Sequence, residues 1–428
     1  MATLSRSLQH VKQHLNQLVT QDPIFEICRQ LGHKWRDCVL NPAKTVELFL
    51  LQLLAHVALQ GLRHVATLQV TAQAICKAKM RLPLKLLMRL VELSVPEGEP
   101  QSTWRGLELY MVDGTSFLTP DTPKLARKFG KAKNQRGQSN SYPVPKLLAL
   151  VDFAGGVIRR VITLPAHRQE FTCLSRLFGS VGKDALLLGD RGLVSFAHLA
   201  MLIKAGIHGC FRLPRWQVTY GRGRGSRRLI DRLGKQDLLV GWSASRRPKW
   251  MSRKRWDGLA KRELILRQIA YRVHRKGYRV QWAWIVTTLL DPQKYPAKEL
   301  IALYGKRWQI EVYFRDMKRS LGLQIVSAQT VAGVQKEVLC FVLLYNLVRR
   351  VMQRAAQQQQ TTSDRISFVD ALRWLLYSGP DEAIPRLVVN AVRQRRSPAR
   401  CIKRGRHRFP QLNGTREETS KPCCETKL

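Results

Sequence analysis

Acidic residues are scarce in this chain of 428 residues: Asp and Glu number 30 against 73 Lys and Arg, and the formal net charge is +43. An excess of this size repels itself unless a polyanion is bound. Nucleic acid is therefore the expected partner, because each phosphate that a cation neutralises releases counterions. An anionic membrane surface is the alternative partner for so basic a chain.

Long hydrophobic runs are also absent. The most apolar segment, residues 46–62, is interrupted by Glu47, Gln52, His56 and Gln60, so it predicts a buried helix and not a membrane span. A composition with 45% apolar residues predicts a folded globular protein, and we expect no membrane partner. The nine cysteines are odd in number and scattered, which is typical of a reducing compartment, and no apolar export signal follows the start of the chain.

The motifs of several common enzyme classes are missing: no Gly-x-Ser-x-Gly, no phosphate-binding P-loop and no His-Glu-x-x-His occurs. Acids stand instead at the ends of predicted strands. An apolar run from Leu107 ends at Asp113, and a continuous one from Ala185 ends at Asp190. Each aspartate alone also suits a turn or a helix cap. Together they indicate a site, because side chains at strand ends can meet at one edge of an α/β sheet.

The periodicity divides the chain into five regions. Residues 1–104 are predicted to be helical, with a helix-turn-helix pattern near Arg81-Leu82-Pro83 that suits either DNA binding or an ordinary helical hairpin. Residues 105–214 begin an α/β core, residues 215–290 form a basic β insertion, and residues 291–350 complete the core. Residues 351–428 are predicted to form a helical region that ends in a disordered tail. The fold class is α/β.

The insertion concentrates the positive charge. Residues 211–279 contain 21 Lys or Arg and four acids, so their net charge is 21 − 4 = +17, and seven Trp or Tyr are interspersed with them. Cations with interleaved aromatics suit tracking of a nucleic-acid backbone and stacking on its bases. The alternative is a small β subdomain whose aromatics form its core and whose cations face solvent.

A second pattern follows the insertion. Its five members are spaced 3, 4, 4 and 3 apart, which predicts one face of a helix: Tyr304, Arg307, Glu311, Arg315 and Lys318. An acid with cations on both sides suits a metal-bound phosphate between other phosphates. The alternative is an exposed helix with Arg–Glu pairs worth about 0.3–0.5 kcal/mol each.

The three acids of these patterns, Asp113, Asp190 and Glu311, predict a site for Mg²⁺ or Mn²⁺, because hard cations prefer carboxylate oxygens. Two such ions about 3.5–4 Å apart would activate a water or a 3′-hydroxyl and stabilise the leaving oxygen of a phosphodiester.

The order Tyr304-x2-Arg307-x3-Glu311-x6-Lys318 resembles the Y-x2-R-x3-E-x6-K signature of the DDE transposases of bacterial insertion sequences, in the insertion-sequence-four family. The surroundings of Asp113 and Asp190 are similar to those of the family's first two acids. The resemblance implies a ribonuclease-H-like catalytic core with a β-strand insertion between the second and third acids. It also implies that Asp113, Asp190 and Glu311 are catalytic and bind two Mg²⁺ ions, for which Mn²⁺ may substitute.

The resemblance further implies DNA contacts by Tyr304, Arg307 and Lys318, and by Arg315, where members often carry Lys. Trp284 is the best match to a tryptophan that stacks on a flipped base, with Trp282 as its competitor.

The implied function is cutting of double-stranded DNA at inverted-repeat ends and joining of the 3′-hydroxyl ends to target DNA. The resemblance implies that a homodimer does this in a synaptic complex, in the bacterial cytoplasm at the nucleoid. A ribonuclease-H-like nuclease without strand transfer and a non-catalytic DNA-binding descendant are the alternatives.

Overall fold

Alternating apolar residues build the central sheet of the protein, and both of its faces are covered. In a computed structural model, residues 21–66, 68–95, 103–132, 141–219, 223–224, 226–244, 246–260, 263–273, 281–378 and 382–389 are described. The described residues up to Val388 belong to one packed unit. Its strands are β1 (Thr103–Trp104), β2 (Leu107–Ser116), β3 (Lys146–Asp152), β4 (Ile158–Leu164), β5 (Ala185–Gly189), β6 (His208–Arg212), β7 (Gly223–Arg224), β8 (Arg227–Gly234), β9 (Asp237–Trp242), β10 (Leu264–Val273) and β11 (Gln281–Thr287).

The strand order in the sheet is β4-β3-β2-β5-β6-β11-β10-β9-β8-β7, and β1 pairs with β2 outside this path. Strands β2, β5 and β6 are parallel to one another, whereas β3 and β4 are antiparallel and form a hairpin on the β2 side. The mixed α/β class predicted from the sequence is confirmed. The strands of the basic region 215–290 do not form a separate sheet, because β11 pairs with β6 and continues the core sheet.

Helices cover the sheet on both faces. Those described are α1 (Gln21–Gln30), α2 (Pro42–Leu54), α3 (Leu59–Val65), α4 (Ala72–Arg81), α5 (Leu84–Leu93), α6 (Pro123–Phe129), α7 (Phe196–Lys204), α8 (Arg253–Ala260), α9 (Ala297–Gly305), α10 (Gln309–Arg315), α11 (Val331–Gln358) and α12 (Phe368–Tyr377).

Successive strand residues point to opposite faces. Leu109 and Met111 face a core that includes α9, α10 and α11. Tyr110 and Val112 face a second core, which includes α7.

The predicted helix-turn-helix is present as α4 and α5. Thr71 caps α4, since its hydroxyl accepts a hydrogen bond from the Ala74 amide, and the short connection contains Pro83, the residue before the first turn of α5. At the other end of α4, Lys336 of α11 donates to the carbonyl oxygens of Lys79 and Met80 at 3.2 and 2.6 Å. The pair is therefore tied to the core through α11.

Three predicted helices differ from those observed. The apolar stretch 46–62 is divided between α2 and α3, which separate at His56, a residue with positive φ. The sequence also predicts one helix over residues 170–181. The structure has two short 3₁₀ turns there, Glu170–Arg176 and Phe178–Ser180.

The predicted helical row near Glu311 departs from α-helical winding at two places. It runs through α9, a 3₁₀ turn (Lys306–Trp308), α10 and a π-helical turn (Asp316–Ser320).

The long helix α11 is the centre of the first core. By length and composition it could cross a membrane, but 78% of its most apolar window is buried inside the fold, as in the core helix of a globular protein. The predicted boundary between residues 350 and 351 falls within α11. The predicted disordered tail lies outside the described residues.

Candidate active site

The register of two parallel strands brings the two predicted aspartates together. Val112 of β2 pairs with Gly189 of β5, so the next residues along the two strands, Asp113 and Asp190, are neighbours. Adjacent strands lie about 4.8 Å apart. Both residues continue the alternation that faces the first core, on the side where α9 and α10 pack. The aspartates therefore share one face of the sheet, at the point where β2 and β5 cease to pair. Asp190 follows the end of β5 as predicted, whereas Asp113 lies within β2, which continues to Ser116 because it stays paired with β3.

Arg307 bridges these two carboxylates. Its Nη1 lies 3.2 Å from Oδ2 of Asp113 and its Nη2 lies 3.8 Å from Oδ1 of Asp190. The Arg307 side chain is only 4% exposed, whereas those of Asp113 and Asp190 are 24% and 37% exposed. Its Nε is buried and has no hydrogen-bond partner among the described residues. A cationic side chain thus lies between two carboxylates that remain accessible from the outside.

The pKa values record the competition at this site. Burial raises the pKa of Asp113 and the charge of Asp190 adds to the effect, although the Gly114 amide and Arg307 oppose it. Burial alone would lower the pKa of Arg307, but Tyr304 and the two aspartates raise it above its ordinary value. Burial therefore disfavours the charged form of Asp113, and Arg307 opposes that effect.

Glu311 lies on α10 one helical turn after Arg307, as its spacing predicts. Its side chain is exposed, and no ion pair joins it to another described residue. Burial raises its pKa, Arg307 lowers it, and Asp113 and Asp190 raise it. All three acids therefore influence one another electrostatically. Within the described ranges, however, no three His, Cys, Asp or Glu side chains are close enough together to hold a metal ion.

The residues present nevertheless fit a hard divalent cation. Two partly exposed carboxylates supply oxygen ligands of the kind that Mg²⁺ prefers, and they already hold a positive group. Mg²⁺ is commonly bound through one or two carboxylates and retains several of its waters, so a preformed three-acid cluster is not required. Asp113 and Asp190 are the first candidates to hold the ion, and Glu311 is the third.

The five residues of the predicted helical face have different surroundings. Tyr304 is buried, and its hydroxyl donates to the carbonyl oxygen of Gly189 at 3.2 Å, next to Asp190. Arg315 is exposed and Lys318 is half-buried in the π-helical turn. Arg315 and Lys318 are accessible to a phosphate as they stand, whereas Tyr304 and Arg307 would have to become exposed to touch DNA.

Trp284 lies on the other face of the sheet. It alternates with Ile285, which faces the first core, and packs against the second core. Trp282 is on the same face as Trp284 but is 41% exposed, and the guanidinium of Arg272 lies 4.9 Å from its ring centre. Trp284 and the acids are thus on opposite faces of the sheet, so DNA that reaches both must wrap around an edge of the sheet.

Two residues near the acids were not singled out from the sequence as site residues. Tyr271 of β10 faces the first core, and both Arg307 and Asp190 contribute to its shifted pKa, after burial, Arg212 and Cys210. Glu170 begins a 3₁₀ turn and lies against Gly114. The alternation along β10 could have identified Tyr271, because it predicts that this ring faces the same side of the sheet as the acids.

The match to a protein family agrees with this site. The transposase DDE domain matches residues 104–347, more than half of the chain, so the protein belongs to the DDE transposase family. The matched range contains both aspartates, Arg307 and Glu311. The resemblance stated from the sequence is thereby confirmed.

Similar proteins come from insertion sequences. The chain is 27% identical over 293 residues to the transposase InsG for insertion sequence element IS4 of Escherichia coli strain K12, over 67% of this chain and 62% of InsG. It is 29% identical over 114 residues to the putative transposase InsZ of the same strain, over 27% of this chain and 38% of InsZ. These matches span about three fifths and two fifths of the two relatives.

Among solved structures, a cryo-EM structure of the piggyBac transposase synaptic complex with hairpin DNA aligns with a TM-score of 0.45 and 8% identity. The alignment covers 86% of this chain and 79% of that one. A likeness this distant supports no inference about the site.

Proposed function

We propose that this protein is a transposase that cuts DNA at the inverted-repeat ends of its insertion sequence and joins the 3′-hydroxyl ends to target DNA. The observation that carries the proposal is the pair Asp113 and Asp190, side by side on adjacent strands and bridged by Arg307, in a DDE-family chain of charge +43. The strand order, with a central parallel group flanked by an antiparallel hairpin, supports a ribonuclease-H-like core extended by the strands of the insertion.

In this proposal Asp113, Asp190 and Glu311 hold two Mg²⁺ ions, which Mn²⁺ can replace. When bound, such ions act as Lewis acids that activate a water or a 3′-hydroxyl and stabilise the leaving oxygen. The protein contributes the placement of the ligands: β2 and β5 fix the aspartates, and α10 presents Glu311. Arg307 stabilises the two aspartates in the absence of metal, and its fork of N–H donors suits a phosphate when a cation takes over that task.

The DNA contacts follow from accessibility. Arg315 and Lys318 are proposed to bind phosphates beside the acids, since both can be reached from outside. Tyr304 is proposed to hold the helix against β5 and to reach DNA only after a rearrangement. Trp284 remains a proposed base-stacking residue. We further propose that a homodimer holds two transposon ends in a synaptic complex, and that the protein acts in the bacterial cytoplasm at the nucleoid.

The direct test is cleavage of duplex DNA that carries the terminal repeats flanking the element, by the wild type and by Glu311→Gln, with Mg²⁺ or Mn²⁺. The wild type should cut at the repeat ends, and Glu311→Gln should lose nearly all of this activity. Glu299→Gln is the matched control, because it removes an exposed glutamate of the preceding helix that pairs with Arg105. It should cut as the wild type does.

The products decide between the alternatives. Joined donor–target strands in the same reaction would exclude a nuclease without strand transfer. Equal cleavage by the wild type and Glu311→Gln would remove the catalytic assignment of Glu311. Metal-independent DNA binding with no nicking at all would favour a non-catalytic DNA-binding protein.

A further inference from the structure

An unpaired carboxylate lies directly behind the first aspartate. Glu170 begins the 3₁₀ turn Glu170–Arg176, and its side chain packs over Gly114, the residue after Asp113. A Cβ placed on Gly114 would lie only 2.6 Å from both Cδ and Oε1 of Glu170. Real Cβ atoms do not approach other atoms so closely, so the glycine after Asp113 is what leaves room for Glu170.

The turn that carries Glu170 also contacts the segment of the second aspartate. It packs against the turn Arg191–Leu193, which directly follows Asp190, and against β3. The turn that begins at Glu170 therefore contacts both aspartate-bearing segments, and Glu170 itself lies against that of Asp113. Gly114 faces the second core, so Glu170 approaches β2 from that side. Asp113 faces the first core. The two acids therefore lie on opposite sides of β2.

No described group forms a hydrogen bond or an ion pair with the Glu170 carboxylate. Among the described residues Glu170 makes no hydrogen bond and no ion pair of 4 Å or less. The nearest influential cation, Lys146, donates instead to the carbonyl oxygen of Arg168 at 3.3 Å. Burial raises the pKa of Glu170; Lys146 lowers it and Asp113 raises it. A half-buried carboxylate without a partner is costly, and such groups concentrate at functional sites.

We propose that Glu170 is a positioning residue of the acidic site, which strengthens the binding of a divalent cation by Asp113 and Asp190 from the opposite side of β2. Glu170 acts through these two residues and does not touch DNA. Its negative charge adds to the attraction for the cation. The inference rests on the proposed function, because it requires that Asp113 and Asp190 bind metal.

The charge is tested with Glu170→Gln, which keeps the shape of the side chain. The affinity of the full-length protein for Mn²⁺ is measured from the electron paramagnetic resonance signal of the free ion, with and without terminal-repeat DNA. Outer residues that tune a metal site typically change affinity 10–100-fold when replaced. We expect Glu170→Gln to bind Mn²⁺ about tenfold more weakly, and its cleavage activity to return at high Mn²⁺ concentration.

The matched control is Glu108→Gln, at the start of β2. It removes the same charge from the strand that carries Asp113, five residues before Asp113 and thus about 16 Å from it at 3.3 Å per residue. Gln can still accept the hydrogen bond that Tyr110 donates to Glu108. Its Mn²⁺ affinity should equal that of the wild type. A purely structural role for Glu170 would not be rescued by added metal.

The packing contact is tested separately by a double-mutant cycle on the free energy of unfolding. Gly114→Ala should destabilise the protein only slightly, because Glu170 can turn the flexible end of its side chain away from the new Cβ, and this loss should vanish in a Glu170→Ala background.

The outcomes separate the two proposals. If Asp113→Asn binds Mn²⁺ as tightly as the wild type, the metal assignment itself is wrong and the role of Glu170 falls with it. If Asp113→Asn abolishes binding but Glu170→Gln binds like the wild type, the proposed function stands and the role of Glu170 is refuted.

Discussion

Replacement of Arg307 by Met gives a direct measure of how the aspartates are held. The substitution removes the guanidinium from a side chain that is 4% exposed and leaves Asp113 and Asp190 facing each other without compensation. Breaking a fully buried pair costs about 3–5 kcal/mol. Because the two aspartates retain 24% and 37% of their exposure, solvent screens part of the effect, and we expect a loss of about 2–3 kcal/mol.

Mg²⁺ should increase the free energy of unfolding more in Arg307→Met than in the wild type, and so offset part of this loss. At an ion concentration about 100 times Kd, binding to the native state adds about 2.7 kcal/mol. In the wild type the ion competes with Arg307 for the same oxygens, so its apparent affinity is lower. The assay is urea denaturation of both proteins with and without saturating MgCl₂, with NaCl matched for ionic strength.

Arg105→Met is the matched control, since Arg105 pairs with Glu299 at 2.6 Å but both side chains are more than a third exposed. An exposed pair of this kind contributes little to stability because solvent screens it, and Mg²⁺ should not offset its loss. Arg307→Lys, which keeps the charge but not the planar fork, should fall between Arg307→Met and the wild type. Equal stabilisation of the wild type and Arg307→Met by Mg²⁺ would refute the competition between Arg307 and the metal.

Two predictions concern pH. Burial raises the pKa of Asp316 to about 6, so the native state binds the proton more tightly than the unfolded chain, and stability should fall as pH rises from about 4 to about 6. In urea titrations at each pH, the free energy of unfolding of Asp316→Asn should not show this fall, whereas that of the exposed control Asp257→Asn should. Burial lowers the pKa of Lys79 to about 8, so stability should rise between pH 8 and 10 in the wild type; Lys79→Met should lose that rise and Lys77→Met should keep it.

The sequence was sufficient for the strands that carry the aspartates. Apolar runs lead into Asp113 and Asp190, and the register of β2 with β5 places the two aspartates side by side, although β2 itself continues to Ser116. The helix-turn-helix was equally predictable from the sequence, because turn residues and two apolar helix faces are local signals. These features depend on neighbours in the chain, and periodicity records such neighbours well.

The directions of the charged side chains were not predictable in the same way. Arg307 and Arg315 occupy equivalent positions in the helical pattern, yet Arg307 is buried against two carboxylates and Arg315 is exposed. Lys79, which the sequence places among the basic residues of the helix-turn-helix, turns inward and lies 3.8 Å from the ring centre of Phe49. Tertiary contacts between distant segments decide each case, and no local pattern contains them.

One buried ion pair explains why the extended sheet can position the site. Arg267 of β10 is fully buried, and its Nε donates to Asp237 of β9 at 2.8 Å. Its Nη1 also donates to the carbonyl oxygen of Tyr295 at 2.6 Å, just before α9 begins. Because β10 pairs with β11, and β11 pairs with β6 beside β5, the insertion strands are bonded at one end to the neighbour of the Asp190 strand. At the other end they anchor the start of the helical stretch that carries Arg307. The distance between Asp190 and Arg307 is thus set through the insertion as well as through direct contact, which gives these strands a structural role at the site in addition to their basic surface.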